Sequence, residues 1–262
     1  MLAGILLILA LAAANASLAI AQKLVKGPEV QVLDVLDGDT ITLIEEIDGA
    51  TQIRLVGIQA PKLPLGRPGF KKWPLADESK ALLVKLANGR HLRLSFGGQR
   101  KDRCGRLLAH LHRTDGLWIQ GELLKQGLVR VYSFPDNRSL VDEMLAAENE
   151  ARTQNRGIWA HPYYAIERAT NLRMEANRFH LVEGGVHDVA TVRDRTYLNF
   201  DKNWRKDFNV SLPPKITRLF KKEGVDLQSL KGKSVRVRGW LKSRNGPMID
   251  VTHPEQIEYL KP

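Results

Sequence analysis

Two stretches of this chain gather side chains suited to binding phosphate. A basic turn between Gly97 and Gly105 carries Arg100, Lys101 and Arg103 around Asp102. Further on, Arg236 and Arg238 alternate within SVRVRGWL, with Lys242 and Arg244 beyond them. Alternate residues of a strand share a face, so this second set is expected to present one basic edge to a nucleic acid. Each phosphate neutralised by Lys or Arg releases counterions, which favours binding of a polyanion. Tyr197, Trp204 and Trp240 lie in the same region and are equally suited to stacking bases or to filling a core. Other chemistries are poorly supplied. The single cysteine, Cys104, excludes an intramolecular disulfide and a cysteine-rich zinc site. It sits among Arg and Lys, but no His/Asn arrangement accompanies it to make a nucleophile. His187 and His253 are isolated, and nothing around them suggests a metal site.

The composition is that of a globular protein, 43% hydrophobic and 26% charged over 262 residues, which is room for two compact domains. Net charge is +11 and the pI about 9.8. The excess is shared by both halves, with 19 Lys/Arg against 12 Asp/Glu from residue 163 onward. Such a charge suits a polyanion partner and equally describes a solvated basic surface. No charged side chain precedes Lys23. The apolar run Met1–Gln22 reads as a signal peptide, with small-residue cleavage sites at Ala14-Asn15-Ala16 and Ala19-Ile20-Ala21, or as an N-terminal anchor. The expectation is export, to the periplasm or the medium, with membrane attachment only through this segment.

These residues need elements to position them, and the pattern supplies two sets. After Lys26-Gly27-Pro28, read as a linker, VQVLDVL, ITLIEEI and TQIRLVGI alternate as strands around turns at Asp37-Gly38-Asp39 and Asp48-Gly49. Residues 61–74, rich in Pro, Gly and Lys, read as a surface loop. Residues 75–87 have helical periodicity, with acids in the first turn and Asn88-Gly89 as the stop. HLRLSF and RLLAHLHR follow as strands, then helices in WIQGELLKQG and SLVDEMLAAENEARTQN. Five strands with helices so placed predict a small closed barrel of the oligonucleotide-binding type. A second set starts near Arg178: strands in FHLVEGGVHDVATV, RTYLNF, DFNVSL, SVRVRGWL and PMIDV, and a helix in PKITRLFKKEG. The expected fold class is therefore mainly β with helices (α+β), built as two small barrels. The first spans 28–160 and the second 178–262, joined by a connector over 161–177.

Specificity comes from an ordered set of segments: VLDGDTITL (35–43), IRLVGIQAP (53–61), DRCGRLLAHL (102–111), GELLKQGLVRVYSFP (121–135) and NRGIW (155–159). In that order, around a helix and a loop of matching size, they resemble the staphylococcal nuclease (thermonuclease) family. The second region more loosely resembles the barrel found downstream of nuclease-like domains in some bacterial proteins. The first resemblance implies a calcium-dependent phosphodiesterase. In that family two aspartates and a backbone carbonyl hold Ca²⁺, a glutamate directs the attacking water, and two arginines bind the phosphate. By position, Asp39 takes the place of the first metal ligand, and Arg54 and Arg106 those of the phosphate-binding arginines. Tyr132, with Phe134 close by, falls where an aromatic meets the nucleotide base, a contact that tolerates any base and suits single strands. Cys104 replaces a tyrosine common before that Gly-Arg.

Two positions depart from the family. Gln59 stands where the second aspartate belongs, and Lys62 where the glutamate belongs. A glutamine offers one neutral oxygen, and an ammonium cannot ligate Ca²⁺. The exchange makes the site more positive by three charges, which opposes the cation and favours a phosphate. The preferred reading is a binder of DNA or RNA, single-stranded and without a small-molecule cofactor, in which cleavage is weak or absent. One alternative is an active nuclease using a substitute carboxylate, Asp77 or Glu78 on the helix or Glu45 or Glu46 on the hairpin. Another is an envelope scaffold that binds protein or an anionic polymer.

Overall fold

Val30, Val32 and Val35 set the path of the first strand. Val30 and Val32 alternate inward, then register shifts between Val32 and Asp34 and between Val35 and Asp37 change the phase. A bulge re-aims the residues that follow it, so Val35 and Asp37 point inward next. The computed structural model describes residues 24–172, 178–203, 207–244 and 246–260. The Met1–Gln22 segment and Trp204 lie outside these residues.

The strand β1 runs Val25–Asp37, so Lys26-Gly27-Pro28 belongs to it and is not a linker. Its first half pairs with β5 (His91–Phe96) and its second half with β2 (Thr40–Ile47). Next come β3 (Ala50–Leu55) and the short β4 (Ile58–Gln59). The helix α1 (Ala76–Ala87) leads to β5, and β6 (Leu107–Arg113) completes a closed barrel in the order β1-β2-β3-β6-β5, with β3 and β6 parallel. The β2–β3 hairpin turns on Asp48-Gly49, both at positive φ (51° and 73°), which a two-residue turn of this kind requires. Below the barrel lie α2 (Ile119–Lys125), β7 (Arg130–Val131), paired with β4, and α3 (Val141–Thr153). The core contains Ile41, Ile53, Leu55, Leu83, Leu94, Leu107 and Leu111.

The expected connector carries structure of its own: β8 (Glu167–Arg168) pairs in parallel with β9 (Phe179–Gly185). The second region continues with β10 (Asp188–Val192), β11 (Arg195–Asn199), β12 (Asn209–Leu212), α4 (Pro214–Lys222), β13 (Ser234–Ser243), β14 (Pro247–Asp250) and β15 (Ile257–Tyr259). Its ladder is β10-β11-β12-β14-β13-β9, with β12 and β14 parallel. β9 and β10 are two halves of one path, broken at Val186-His187. The Val186 and His187 amides still donate to the carbonyls of Lys233 and Asn199, so the sheet returns upon itself. This is the strand order of the first barrel. β15, which no sequence pattern announced, adds to one edge of β13. A second core of Phe208, Val210, Leu212, Phe220, Val235, Val237 and Leu241 fills this barrel. No described helix is long and apolar enough to cross a membrane.

Candidate nuclease-type site and its link to the second barrel

The tight turn between β1 and β2 places Asp37 and Asp39 side by side inside the protein. Gly38 makes this possible, because a Cβ there would meet Ser79 Oγ of α1 at 2.0 Å and Ala60 Cβ at 2.8 Å. Asp39 is fully buried and Asp37 nearly so. The Asp39 amide donates to Asp37 Oδ1 at 3.1 Å, which fixes the turn.

The Asp39 carboxylate is saturated. Oδ2 accepts from the Ala60 amide at 2.7 Å and from Lys62 Nζ at 2.7 Å, and lies 3.0 Å from Arg54 Nη2. Oδ1 accepts from Lys62 Nζ at 2.8 Å and from Thr40 Oγ1 at 3.2 Å. Lys62 Nζ also donates to Asp37 Oδ2 at 3.3 Å. The ammonium is thus held by three carboxylate oxygens. Burial alone would raise the Asp39 carboxyl, but the charges of Arg54 and Lys62 outweigh it and hold the group well below the usual carboxylate range. Burial and the charge of Asp39 push Asp37 up, against the pull of Lys62.

Arg54, on β3, turns inward. Besides Asp39, its guanidinium donates to the carbonyls of Leu55 and Ile58, each at 2.6 Å. Arg106 is engaged too, donating from Nε (2.8 Å) and Nη2 (2.6 Å) to Asp102 Oδ2. The basic turn clamps onto the β2–β3 hairpin: Arg100 pairs with Asp48 at 2.5 Å and covers the Phe96 ring, and Lys101 donates to the Asp48 carbonyl. Arg103 is exposed.

Gln59 does not face the aspartates as a ligand. Its amide oxygen accepts from Arg130 Nε at 3.0 Å and Nη2 at 2.6 Å, while Arg130 Nη1 donates to the Phe179 carbonyl of β9 at 3.2 Å. The guanidinium carbon also lies 4.6 Å from the Phe179 ring centre. Burial draws the Arg130 guanidinium down to about 10. The position expected to have lost a metal ligand has become a bolt between the barrels. Arg130 was not singled out in the sequence; an arginine flanked by the buried Val129 and Val131 was the signal available.

The basic edge expected at Arg236 and Arg238 requires correction. Arg238 is buried at the junction, donating to Glu148 Oε1 (2.8 Å), Glu258 Oε1 (2.5 Å) and the Val131 carbonyl (3.2 Å). Arg236 pairs with Glu183 (2.5 Å) and Glu258 (2.9 Å), and Arg152 with Glu258 (2.7 Å). Neither β13 arginine faces a free surface, because α3 and β15 bring carboxylates over that face. Burial alone would lower the Arg238 guanidinium, but Glu148 and Glu258 reverse this and raise it. The sequence did contain a hint, since Glu148 falls on the apolar stripe of α3 with Val141, Met144 and Ala151. Arg138 adds a further clamp to Glu223 and Glu255, both at 2.8 Å.

Tyr132 and Phe134 follow β7, their ring centres 4.8 Å apart edge to face. Tyr132 also packs on Phe179 at 5.0 Å, and its hydroxyl accepts from the Trp240 indole at 2.9 Å. His253, isolated in the sequence, bonds Ser133 at 2.7 Å across the junction.

The donor set does not fit calcium. Two carboxylates remain, both committed to Lys62 and one also to Arg54, and no group of three or more His, Cys, Asp or Glu able to hold a metal occurs among the described residues. The candidate substitutes do not complete it. Asp77 pairs with Lys72 at the surface, and Glu45, Glu46 and Glu78 are exposed. Among the described residues no hydrogen bond or ion pair joins any of the four to Asp39, Arg54 or Lys62.

A closed five-stranded barrel with an aspartate turn against an inward arginine, braced by three helices, defines the staphylococcal-nuclease class of β-barrel. Residues 52–161 match the family model described as staphylococcal nuclease homologue. The region 52–161 is thus staphylococcal-nuclease-like, and several relatives that the chain matches are called endonuclease or thermonuclease. It is 33% identical over 138 residues to endonuclease YncB of Bacillus subtilis, covering 52% of this chain and 64% of that protein. To the thermonuclease of Staphylococcus hyicus it is 28% identical over 132 residues, 50% of this chain and 75% of the other. A longer match of 178 residues, at 30% identity, reaches endonuclease YhcR of Bacillus subtilis and covers 66% of this chain but 14% of that protein. The chain thus spans less than two thirds of the length of endonuclease YncB.

Proposed function

We propose that this protein binds single-stranded nucleic acid and that its calcium site is degenerate, with cleavage weak or absent. The observation that carries the reading is the Lys62 ammonium lying 2.7–2.8 Å from both Asp39 oxygens and 3.3 Å from Asp37. A fixed internal cation there neutralises the carboxylates that a metal would need, and Gln59, bound to Arg130, contributes no charge. Asp37 and Asp39 are balanced by Lys62 and Arg54, so the cluster no longer attracts a dication and no longer repels a phosphate. Support for the ligand comes from the net charge of +11, the nuclease relatives and the exposed Phe134 ring. Export belongs to the same reading and is supported by the apolar Met1–Gln22 segment.

The test incubates the protein with labelled single-stranded DNA and RNA, with calcium and with chelator, on denaturing and native gels. The expected result is intact strands that shift on the native gel in a salt-sensitive way. Introducing Gln59→Asp together with Lys62→Glu should then create calcium-dependent cleavage. Chelator-sensitive fragments from the unaltered protein, lost in Asp39→Ala, would overturn the reading.

A further inference from the structure

Trp240 is a large aromatic left 44% exposed on β13, and Phe134, left 47% exposed, belongs to the other barrel. They do not stand apart. Trp240 donates its indole N–H to Tyr132, Tyr132 packs edge to face on Phe134, and Phe179 supports both sides at 5.0 Å from Tyr132 and 6.5 Å from Trp240. The buried Arg130 and Arg238 pairs hold the two barrels in the register that brings these rings together. Exposed rings fixed by buried neighbours lose little freedom when a base stacks on them.

The face continues beyond Trp240. Along β13 Val237 and Leu241 point into the core, so Trp240 and Lys242 share the outer face. Lys242 lies opposite Met248 of β14, and Met248 lines a cavity of about 520 Å³ on the outer side of β10, β11, β12 and β14. That cavity is also lined by Tyr197, Arg195 and Arg244. Its acids are compensated: Asp188 pairs with Lys231 at 2.8 Å, and Asp250, beside it, pairs with Lys242 at 2.8 Å. Neighbouring strands are about 4.8 Å apart, so three steps from β13 to β11 separate Trp240 from Tyr197 by about 14 Å. Aromatic surface at both ends, with Lys242, Arg195 and Arg244 beside the path, is the chemistry of a single-stranded nucleic acid groove, although Asp250 engages Lys242 and lies 3.9 Å from Arg195. A polyanion without bases would have no use for the rings.

We propose that the two barrels share one track for a single-stranded nucleic acid. It begins on Tyr132, Phe134 and Trp240 at the junction and crosses the outer sheet of the second barrel to Tyr197, Arg195 and Arg244. The inference rests on the nucleic-acid reading above and adds that the second barrel supplies half of the binding surface.

The experiment measures fluorescence anisotropy of labelled oligothymidylate and oligouridylate, about 4 and about 16 nucleotides long, with the full chain. The longer strand should bind far more tightly, and Trp240→Ala and Tyr197→Ala should each weaken it about tenfold. Thermal melting of the variants checks their folding. Crosslinking of the unaltered protein to a 5-iodouracil strand, which depends on no variant, should label peptides that contain Trp240 and Tyr197. No binding by the unaltered protein would sink the nucleic-acid reading, and the track with it. Binding that survives both substitutions, or crosslinks confined to the first barrel, would overturn the track and leave that reading standing. A loss matched by inorganic polyphosphate, which has no bases to stack, would overturn the track too.

Discussion

The two barrels follow one strand order and treat charge in opposite ways. In the first, β1 runs unbroken for 13 residues and its bulges drive Asp37 inward, so that two buried carboxylates meet a partly buried arginine and lysine. In the second, the equivalent path breaks at Val186-His187 and the interior stays apolar, while the charges of β13 turn outward and meet the first barrel. One topology therefore serves as the frame of a site in one half and as a docking face in the other. What differs is which side of a strand receives the polar residues, and a bulge of one residue is enough to change that.

The largest expected effect tests whether the junction is the stronger of the two charge clusters. Glu148 and Arg238 are both buried, so Glu148→Ala leaves Arg238 with Glu258 alone, strips the acceptor from the Val131 amide and should cost about 3–5 kcal/mol in chemical denaturation. A joint Glu148→Leu and Arg238→Met change should recover part of that loss. A cost below about 1 kcal/mol would show the junction to be no stronger than a surface pair.

The histidines report on the halves separately. Burial drives His110, in the first barrel, and His253, at the junction, down to about 3. Both stay neutral in the folded chain while the unfolded chain takes up protons below about 6.5. Stability should therefore fall with pH between 6.5 and 3, by up to about 1.4 kcal/mol per pH unit for each histidine. His110→Gln and His253→Gln should each remove one proton from the slope of stability against pH. An unchanged slope in either variant would mean that its histidine is not held neutral.

Lys62→Ala sharpens the comparison from the other side. Asp37 and Asp39 would keep Arg54 but lose the cation between them, at a cost of about 1–2 kcal/mol at neutral pH, discounted because Lys62 is 21% exposed. Both carboxyls would rise, so the penalty should shrink as pH falls and protons replace the lysine. In the unaltered protein the lowered Asp39 carboxyl contributes stability that is fully present above the ordinary value of 3.8 and is lost as pH falls below it. A loss that is constant from pH 7 to 4 would contradict this account. The smallest effect is expected at Arg106, whose pair with Asp102 is partly exposed. Arg106→Ala should change stability by about 0–1 kcal/mol, and a larger change in the melting curve would mark it as structural.

Local pattern carried much of the fold. Alternation in ITLIEEI and HLRLSF, the Asp48-Gly49 turn and the helical period of residues 75–87 are short-range properties, and the elements formed there, the helix starting one residue later at Ala76. Lys26-Gly27-Pro28 failed as a linker because pairing with β5 overrides the local tendency of Gly and Pro. Gln59 and Lys62 themselves were also legible in the sequence. Their partners were not. Gln59 meets Arg130 from 71 residues away, and Arg238 meets Glu148 from 90 residues away.

The sequence by itself determined the barrel type, the position of the aspartate turn and the presence of Gln59 and Lys62 beyond β3, because each depends on residue identity and near neighbours. Only the tertiary structure decided that the Lys62 ammonium lies on the Asp39 carboxylate, that Arg238 is buried and that Trp240 reaches Tyr132. A charge declares its sign in the sequence, but its partner is fixed by which strands the fold brings within a few ångströms.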